Sequence, residues 1–563
     1  MLIFVRQYEY KLYADPYQTQ SFTNADPYQH SLLPMQPLWK SFAYFPHQEE
    51  GIEWMLEKEC KGTLVPNKDY SAYKTVYGGL QCDDMGLGKT IQITSVIANN
   101  PKSATLIVAP LAMIETWTSV CSRAGMRVFE IQKQAWTCIN AGINFPARFR
   151  KMRPSVYVTN YEKIIHNPSF FEIAFDRIVL DEAHKIRNGD GEFAKSIRRI
   201  SAPIRWAVTG TPLVNSLKDI VSLLAFIGVP HSLFYSWEPR YYEILPDLLI
   251  HRSLESLRGI IEGVPPAPEI INDIIPFVSE EEEEFYKGVQ FIDEELASKY
   301  TRDILTSTES FKLLLRLRQL SVHPQVYINA KRREDPTYDR EDWTEPSTKF
   351  ERIKEIIIDD DDKRVHKYII FCQFMEEMEL LADELKTIVP EILMYNGSMT
   401  QKQRTDVLAY SKQTEKTTVM LIQLQAGGVG LNLQEYDRII FISPWWTSAL
   451  MDQAIARAVR MGQKEVVKVY HLKLWEEWDN VQIINIDSKI QEKADEKRQM
   501  LEKIFNICAE EQFIKKWREM DELEAVLEAK LATKTLKDEV LESASTASTL
   551  ESAEALEPGE TRP

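Results

Sequence analysis

The stretch from Leu80 to Ile91, LQCDDMGLGKTI, constrains the fold more than any other part of the sequence. A short apolar run leads into two glycines, Gly86 and Gly88, and then into Lys89 and Thr90 at the start of a helix-like continuation. Because glycine has no Cβ, backbone N–H groups in such a turn can approach an anion closely, and the positive end of the helix dipole faces the same anion. The stretch therefore predicts a strand, a phosphate-binding turn and a helix.

Asp83 stands where the strict phosphate-loop pattern has its first glycine, so the pattern is matched incompletely. A glycine turn without a ligand, between a strand and a helix, is the alternative interpretation. A nucleotide site also requires a metal-binding carboxylate and an arginine that neutralises charge on the transferring phosphoryl group. Both groups must be found elsewhere in the sequence before this turn can be interpreted as a nucleotide site.

Two series of β-branched runs that end in polar residues follow this stretch, with helical or mixed stretches between them. The first series comprises TLIVAP (Thr105 to Pro110), SVYVTNYE (Ser155 to Glu162), RIVLDEAH (Arg177 to His184) and RWAVTGTP (Arg205 to Pro212). The second comprises KYIIFCQF (Lys367 to Phe374), EILMYNG (Glu391 to Gly397), TVMLIQ (Thr418 to Gln423), DRIIFISP (Asp437 to Pro444) and VVKVYHL (Val466 to Leu472). Strands that alternate with helices predict parallel βαβ units, whose carboxyl ends share one ligand-binding edge. We therefore predict an α/β protein with two parallel-sheet domains, of which only the first has a phosphate loop.

These series divide the chain into predicted parts. They are an N-terminal arm without an assigned function (1–40), a first α/β lobe (41–250), a helical insertion and crossover (251–345), a second α/β lobe (346–487), a helical extension (488–535) and an acidic disordered tail (536–563). The tail is predicted to be disordered because its Ser, Thr, Ala and Glu residues cannot bury enough apolar surface to fold alone.

The composition restricts the class of protein. A hydrophobic content of 44% with 27% charged residues is typical of a globular chain, and no apolar run reaches the roughly 18 to 20 residues that span a bilayer. With no secretory signal in the mixed N-terminal sequence, we expect an intracellular protein. Six cysteines without paired spacing predict neither a zinc site nor a disulfide framework. The net charge of −17 excludes a surface coated with cations, so any contact with nucleic acid must be a local groove.

Two further motifs supply the chemistry that the phosphate loop lacks. Asp181 and Glu182 end a β-branched strand, where one carboxylate can hold Mg²⁺ and the other can polarise an attacking water. Gln453, Arg457 and Arg460 are spaced to share one face of a helix, from which the arginines can stabilise charge on a transferring phosphoryl group. Alone, the first motif is typical of a solvated turn and the second of a surface helix. Together with the phosphate loop they predict one site that the second domain completes.

An ordered set of motifs now identifies a family resemblance. The set is QEEGIEW, DDMGLGKT, APLAMIETW, TNYE, DEAH, TGTPLVN, LRQLSVHP, IIFCQF, YNGSMT, QAGGVGLNL and QAIARAVRMGQ. From about Ala43 to Asp487 the chain resembles the Swi/Snf-related ATPases of helicase superfamily two. This resemblance implies two RecA-like lobes with helical insertions, a cleft between them that binds ATP and Mg²⁺, and movement along double-stranded DNA without strand separation.

The resemblance also implies roles for individual residues. Gln48 would read adenine, Gly430 would let the second lobe approach the nucleotide, and Thr209 to Thr211 would couple ATP to lobe movement. The phosphates would be held by Asp84, Met85, Gly86, Leu87, Gly88, Lys89 and Thr90, with Arg457 and Arg460 arriving from the second lobe. Thr90 and Asp181 would hold the metal, and Glu182 would activate water. Duplex DNA would be contacted through its sugar-phosphate backbone by Pro110, Asn160, Tyr161, Asn396, Gly397 and Ser398.

The sequence departs from the family pattern where the family links DNA binding to hydrolysis. Val459 replaces a histidine, Gln423 and Leu424 replace a serine-threonine pair, and Thr447 and Ser448 replace Asn-Pro. None of these changes removes a phosphate-contacting group, so ATP hydrolysis is expected and its coupling to DNA is the quantity in question.

Three functions are compatible with these residues: a duplex translocase that remodels protein–DNA complexes, a strand-separating helicase of transcription or replication, and a nucleotide-binding scaffold with weak turnover. We expect a monomeric motor that does not bind a membrane. Its protein partner is expected to be the nucleosome or another DNA-bound protein. A eukaryotic source would place it in the nucleus, and a viral source in the host cell or virion.

Overall fold

The computed structural model describes most of the 563-residue chain. The described residues are 35–67, 71–132, 135–142, 154–230, 233, 240–292, 307–360, 365–427, 431–474 and 486–512. The predictions for most of the N-terminal arm, for the acidic tail and for Gly430 therefore lie outside the described residues.

In the described part of the first lobe, nine strands form one mostly parallel sheet. They are β1 (Thr63–Pro66), β2 (Tyr73–Gln81), β3 (Ala104–Ala109), β4 (Arg127–Gln132), β5 (Ala135–Cys138), β6 (Ser155–Asn160), β7 (Arg177–Asp181), β8 (Ile204–Val208) and β9 (Leu249–Ile250). Their order is β1-β2-β8-β7-β3-β6-β4-β5, with β9 paired to β2. The β1–β2 and β4–β5 pairs are antiparallel and the other pairs are parallel. The predicted first series thus becomes β3, β6, β7 and β8.

Helices cover both faces of this sheet because its central strands are apolar on both sides. Ile178 and Leu180 of β7 belong to one core, whereas Val179 between them belongs to the core on the other face. The helices of this lobe are α1 (Pro46–Cys60), α2 (Lys89–Asn99), α3 (Ile114–Arg123), α4 (Tyr161–His166), α5 (Glu192–Arg198), α6 (Leu217–Ile227) and α7 (Arg240–Leu248).

The described part of the second lobe contains a six-stranded, entirely parallel sheet. Its strands are β10 (Glu269–Ile275), β11 (Lys367–Cys372), β12 (Glu391–Tyr395), β13 (Thr418–Gln423), β14 (Arg438–Phe441) and β15 (Lys468–Leu474), in the order β10-β15-β14-β11-β13-β12. The helices after β10 are α8 (Glu280–Ile292), α9 (Ser307–Val322), α10 (Pro324–Glu334), α11 (Thr348–Asp359), α12 (Met375–Leu385), α13 (Gln401–Gln413), α14 (Leu424–Gly427), α15 (Ser448–Ile455) and α16 (486–512).

The segment 251–345, predicted to be a helical insertion and crossover, is only partly helical. It contains β10, which pairs in parallel with β15 and forms an edge of the second sheet. The prediction is corrected at this point: the second sheet begins before the helices α8 to α10.

The helix α16 contacts both lobes. Ile486 and Ile490 at its start are buried in the core of the helical region, with Leu317. Ile504 and Cys508 near its end are buried in a core of the first lobe. Among the described residues, none of the helices combines the length and apolar character that a bilayer-spanning segment requires.

Candidate nucleotide-binding and catalytic site

The phosphate-loop sequence forms a turn between β2 and α2. Gly86 and Gly88 have φ angles of 89° and 80°, in the left-handed region that favours glycine. The helix α2 begins directly afterwards at Lys89. The amino group of Lys89 donates hydrogen bonds to the carbonyl oxygens of Asp83 (2.8 Å) and Asp84 (3.1 Å). The lysine therefore lies inside the turn, where a phosphate oxygen can replace these carbonyls.

Asp83, the residue that breaks the strict pattern, anchors this turn from behind. Its side chain is fully buried and accepts a 2.9 Å hydrogen bond from Nε of Arg252, whose Nη2 also contacts it. Gln92 of α2 donates a 3.0 Å hydrogen bond to the same carboxylate. The aspartate thus holds the loop through an ion pair, and the pattern mismatch has a structural cause. The sequence analysis missed Arg252. The pattern that could have indicated it is a short apolar run, LLI, followed two residues later by an arginine.

Gln48, predicted to read adenine, lies against the phosphate loop. Its Nε2 donates a 3.3 Å hydrogen bond to the carbonyl of Leu87, and its Oε1 accepts a 3.2 Å hydrogen bond from the backbone of Phe45. A Cβ on Gly88 would lie 2.5 Å from this Nε2, so a larger residue would displace the amide from the loop. The structure places Gln48 next to the loop, while its role towards adenine stays a prediction.

Asp181 and Glu182 lie at the carboxyl end of β7, as expected. Asp181 is buried and accepts hydrogen bonds at both oxygens, from Nε1 of Trp117 (2.8 Å) and from the backbone N–H of Glu182 (3.1 Å). Burial raises the pKa of Asp181 to about 6, and the Glu182 carboxylate adds to this shift. Glu182 has a φ of 51°, a left-handed conformation that is uncommon outside glycine. The two adjacent carboxylates have different neighbours: Trp117 donates to Asp181, and His184 lies beside Glu182.

His184 connects these carboxylates to the predicted coupling segment. Its Nδ1 lies 3.4 Å from Oε2 of Glu182, 3.2 Å from Oγ1 of Thr209 and 3.4 Å from Oγ1 of Thr211. The backbone N–H of Thr211 donates to Oγ1 of Thr209 at 3.1 Å. The two threonines are therefore linked to Glu182 through the imidazole of His184, a residue to which the sequence analysis assigned no role.

The second lobe brings its arginines to this site. A Cβ on Gly86 would lie 3.9 Å from Cγ of Arg460, so this arginine packs on the phosphate loop. Burial lowers the pKa of the Arg457 guanidinium, and the nearby carboxylates of Glu182 and Asp181 oppose that shift. The two lobes thus meet with opposite charges facing each other.

The predicted helix face is wrong in its detail. The helix ends at Ile455, so Gln453 is inside it, whereas Arg457 and Arg460 follow in turns. Gln453 is buried. A turn rather than a continuous helix therefore carries both guanidiniums.

The residues predicted to contact DNA divide into buried and exposed groups. Asn160 caps α4 by accepting a 2.9 Å hydrogen bond from the backbone of Lys163, and Tyr161 is fully buried and donates a 2.7 Å hydrogen bond to the carbonyl of Asp181. Pro110 is buried as well. The Tyr161 ring lies inside the lobe and its hydroxyl is bonded to Asp181, so only its backbone is left for the predicted DNA contact, which stays a prediction.

In the second lobe, the turn after β12 is accessible. Gly397 and Ser398 are exposed, while Asn396 is buried and accepts hydrogen bonds from the backbone (3.0 Å) and hydroxyl (2.7 Å) of Ser398. The backbone N–H of Gly397 donates to Oε1 of Gln423 at 3.0 Å. Asn396 and Gln423 therefore hold the exposed turn in shape.

Thr90 and Asp181 supply hydroxyl and carboxylate oxygens, the ligands that Mg²⁺ prefers. Oε2 of Glu182 is buried, and no described residue donates a hydrogen bond to it. The oxygens of Thr90 and Asp181 therefore suit Mg²⁺, and Oε2 of Glu182 can accept a hydrogen bond from a water bound to that metal. Among the described residues, no group of three or more His, Cys, Asp or Glu side chains could hold a metal, so a metal here would take further ligands from the nucleotide.

Two parallel α/β lobes, with the phosphate loop on the first and two arginines of the second beside it, are the architecture of a helicase-like ATPase. Residues 47–326 match the family described as SNF2-related domain, and residues 348–462 match the family described as helicase conserved C-terminal domain. The chain belongs to the SWI2/SNF2 family of ATPases. The predicted family, the two-lobed α/β fold and the ATPase class are thereby confirmed.

Relatives span virus and yeast. The chain is 27% identical over 493 residues to the "Probable global transactivator" of Orgyia pseudotsugata multicapsid polyhedrosis virus, covering 82% of this chain and 91% of the relative. It is 25% identical to the ISWI chromatin-remodeling complex ATPase ISW2 of Saccharomyces cerevisiae, covering 81% of this chain but 40% of that protein. A solved SWI2/SNF2 ATPase core from Sulfolobus solfataricus in complex with dsDNA is 21% identical, with a TM-score of 0.35, covering 86% of this chain and 97% of that chain.

Proposed function

We propose that this protein is a duplex-DNA translocase that uses ATP hydrolysis to remodel protein–DNA complexes. The observation that carries the proposal is the composite site: the loop and acid pair of the first lobe face Arg457 and Arg460 of the second. Hydrolysis at such a site depends on the distance between the lobes. Because bound ATP attracts the arginines of the second lobe, ATP binding favours a shorter distance and product release a longer one. A motor requires this link between chemistry and movement.

The chemical step uses the residues of both lobes. Lys89 exchanges the carbonyls of Asp83 and Asp84 for phosphate oxygens. Glu182, whose buried Oε2 accepts no hydrogen bond from the described residues, takes the proton of the attacking water. Arg457 and Arg460 stabilise the charge that develops on the transferred phosphoryl group. Thr90 and Asp181 would hold Mg²⁺, which would supply positive charge to neutralise the phosphates.

The track is duplex DNA, contacted through its backbone. The turn at Gly397 and Ser398 is exposed, and a phosphate oxygen can replace Oδ1 of Asn396 as the acceptor of the Ser398 N–H and hydroxyl, a contact that carries no base sequence information. Because the net charge is −17, binding must be confined to a local groove, and each lysine or arginine in that groove that neutralises a phosphate makes binding weaken further with salt. A yeast relative named as a chromatin-remodeling complex ATPase supports nucleosomes as one cargo.

Duplex-stimulated ATPase activity tests this function. The wild-type protein is expected to hydrolyse ATP faster with duplex than with single strands or without nucleic acid, and Lys89→Ala and Glu182→Gln should abolish that activity. Displacement of a third strand from a triplex, without unwinding of a tailed duplex, would identify translocation. Unwinding of the tailed duplex would instead establish a strand-separating helicase, and ATP binding without any DNA stimulation would establish the scaffold alternative.

A further inference from the structure

Two segments of the first lobe run from the surface to the metal-binding carboxylate. The first begins with Leu111 and Ala112, which are exposed just after β3, and continues into α3, where Trp117 is fully buried. The second begins after β6 at Tyr161, whose next residue Glu162 is exposed. Both segments follow strands whose ends were predicted to face DNA.

Trp117 in the first segment and Tyr161 in the second each donate a buried hydrogen bond to Asp181. Nε1 of Trp117 donates to Oδ2 of Asp181 at 2.8 Å, and the hydroxyl of Tyr161 donates to the backbone carbonyl of Asp181 at 2.7 Å. Trp117 therefore fixes the orientation of the carboxylate, and Tyr161 fixes the strand end that carries it. Asp181 receives these two bonds from separate elements, and a movement of either element would shift the carboxylate.

We propose that Trp117 and Tyr161 are positioning residues that transmit duplex binding at the surface segments to the metal-binding carboxylate of Asp181. This inference rests on the proposed function and adds to it a physical route for coupling. Groups that orient a metal ligand from behind commonly change metal affinity or activity by about 10- to 100-fold when they are removed. Neither residue touches nucleotide in this account, since both act through Asp181.

The chain offers a matched control for Trp117. Trp206 is also fully buried, belongs to the same core and donates its indole N–H to a carboxylate at 2.8 Å, that of Glu59. Glu59 pairs with Arg177 at the opposite end of β7, about 13 Å from Asp181 along the strand. Trp206→Phe thus removes the same volume and the same kind of hydrogen bond without touching the site.

The Tyr161 hydroxyl has a similar control in the second lobe. Tyr368 is buried, and its hydroxyl donates to Oδ2 of Asp360 at 3.0 Å. Tyr161→Phe and Tyr368→Phe each remove one hydroxyl and retain the ring. Comparison within these pairs separates an effect on coupling from a general loss of packing.

Two readouts on the full chain test the inference. The first is the half-saturating Mn²⁺ concentration for binding in the presence of ADP, measured by electron paramagnetic resonance; the second is the ratio of ATPase rates with and without duplex. Trp117→Phe should raise the half-saturating Mn²⁺ by about 10-fold. Trp117→Phe and Tyr161→Phe should both reduce the stimulation ratio, while Trp206→Phe and Tyr368→Phe leave both readouts at the wild-type value.

The outcomes separate this inference from the proposed function. A wild-type protein that duplex does not stimulate would overturn the translocase itself. A stimulated wild-type protein whose ratio is unchanged in Trp117→Phe and Tyr161→Phe would overturn only the coupling route. Equal effects of Trp117→Phe and Trp206→Phe on Mn²⁺ binding would show that packing, not the bond to Asp181, is responsible, and would also overturn it.

Discussion

The two lobes have sheets of the same parallel kind but use their strand ends differently. In the first lobe, β7 ends in Asp181 and Glu182, and the phosphate loop follows β2, so the strand ends themselves form the site. In the second lobe, the polar residues after the strands bond within the lobe. Oε1 of Gln373 accepts from Arg318, and Oγ of Ser443 accepts from Lys349.

This difference shows that a polar strand end is not by itself a ligand site. In the proposed mechanism the second lobe contributes to catalysis through Arg457 and Arg460, which lie beyond the end of a helix. Its strand ends instead tie helices to the sheet: Ser443, just after β14, accepts a 2.8 Å hydrogen bond from Lys349 of α11, which also pairs with Asp487 of α16 at 2.7 Å. In the proposed mechanism one lobe therefore supplies nucleotide and metal binding, and the other supplies the two guanidiniums. The following predictions test that division.

Removing an arginine that the second lobe brings to the site should have the largest effect on ATP hydrolysis. Arg457→Ala or Arg460→Ala should lower the rate of ATP hydrolysis by about 10³- to 10⁵-fold, the range for arginines that stabilise phosphoryl transfer, while nucleotide binding by the first lobe persists. Steady-state hydrolysis with duplex, alongside binding of a fluorescent ADP analogue, measures both. Arg498→Ala is the control, because Arg498 pairs with Asp452 at 2.7 Å in the same interlobe region. Equal losses in Arg498→Ala would contradict the assignment.

Removing the general base should come next. Glu182→Gln is expected to reduce hydrolysis by about 10²- to 10⁴-fold because the amide cannot accept the proton of water. ATP binding should be retained, since the phosphate loop is unchanged. Single-turnover hydrolysis of bound ATP is the measurement, and a Glu182→Gln variant that turns over at the wild-type rate would remove Glu182 from the mechanism.

The buried acid of the second lobe should affect stability rather than catalysis. Burial raises the pKa of Glu377 from 4.5 to about 7. Between these two pH values the folded state binds more protons than the unfolded state, so this group makes the unfolding free energy fall as pH rises, by up to about 3 kcal/mol. Glu377→Gln should therefore be more stable relative to wild type at pH 8 than at pH 5.

Thermal or chemical unfolding of both proteins at the two pH values measures this difference. Glu379→Gln, an exposed neighbour on the same helix, is the control and should show no pH-dependent difference. A Glu377→Gln variant whose stability relative to wild type is the same at both pH values would show that the acid is ionised in the fold.

The smallest effect is expected at the exposed turn of the second lobe. Gln423→Ala removes the 3.0 Å hydrogen bond to the N–H of Gly397, and a net contribution of about 1 kcal/mol corresponds to about 5-fold weaker duplex binding. Hydrolysis without DNA should not change. Tyr410→Phe is the control, because it removes a 2.8 Å bond to Glu391 at the other end of β12. Fluorescence anisotropy with a labelled duplex measures the affinity, and unchanged binding in Gln423→Ala would exclude this turn from the contact.

Local sequence predicted the elements whose signals are contiguous. The strand, glycine turn and helix around Lys89 lie within twelve residues, and the β-branched runs identified the central strands. The strand β10 was missed because it has mixed exposure and lies at an edge of the described sheet, where its partner β15 lies almost 200 residues later. No local pattern contains such a pairing.

The sequence predicts the main residues of the candidate site but not the hydrogen bonds that hold them in place. Lys89, Asp181 and Glu182 are typical of their chemistry, but the bonds that support them come from distant residues. Arg252 reaches Asp83 from 169 positions away, and Trp117 reaches Asp181 from 64 positions away. The spacing of Gln453, Arg457 and Arg460 predicts a helix, whereas the helix ends at Ile455, two residues before Arg457.

Binding of ADP with fluoroaluminate, a mimic of the transferring phosphoryl group, tests the composite site most directly. The dissociation constants of ADP alone and of ADP–fluoroaluminate should be compared in wild-type protein and in the Arg457→Ala/Arg460→Ala double variant. We predict that the double variant binds ADP as wild type does and loses the additional affinity for the mimic. Retention of that additional affinity would contradict the claim that the second lobe completes the catalytic site.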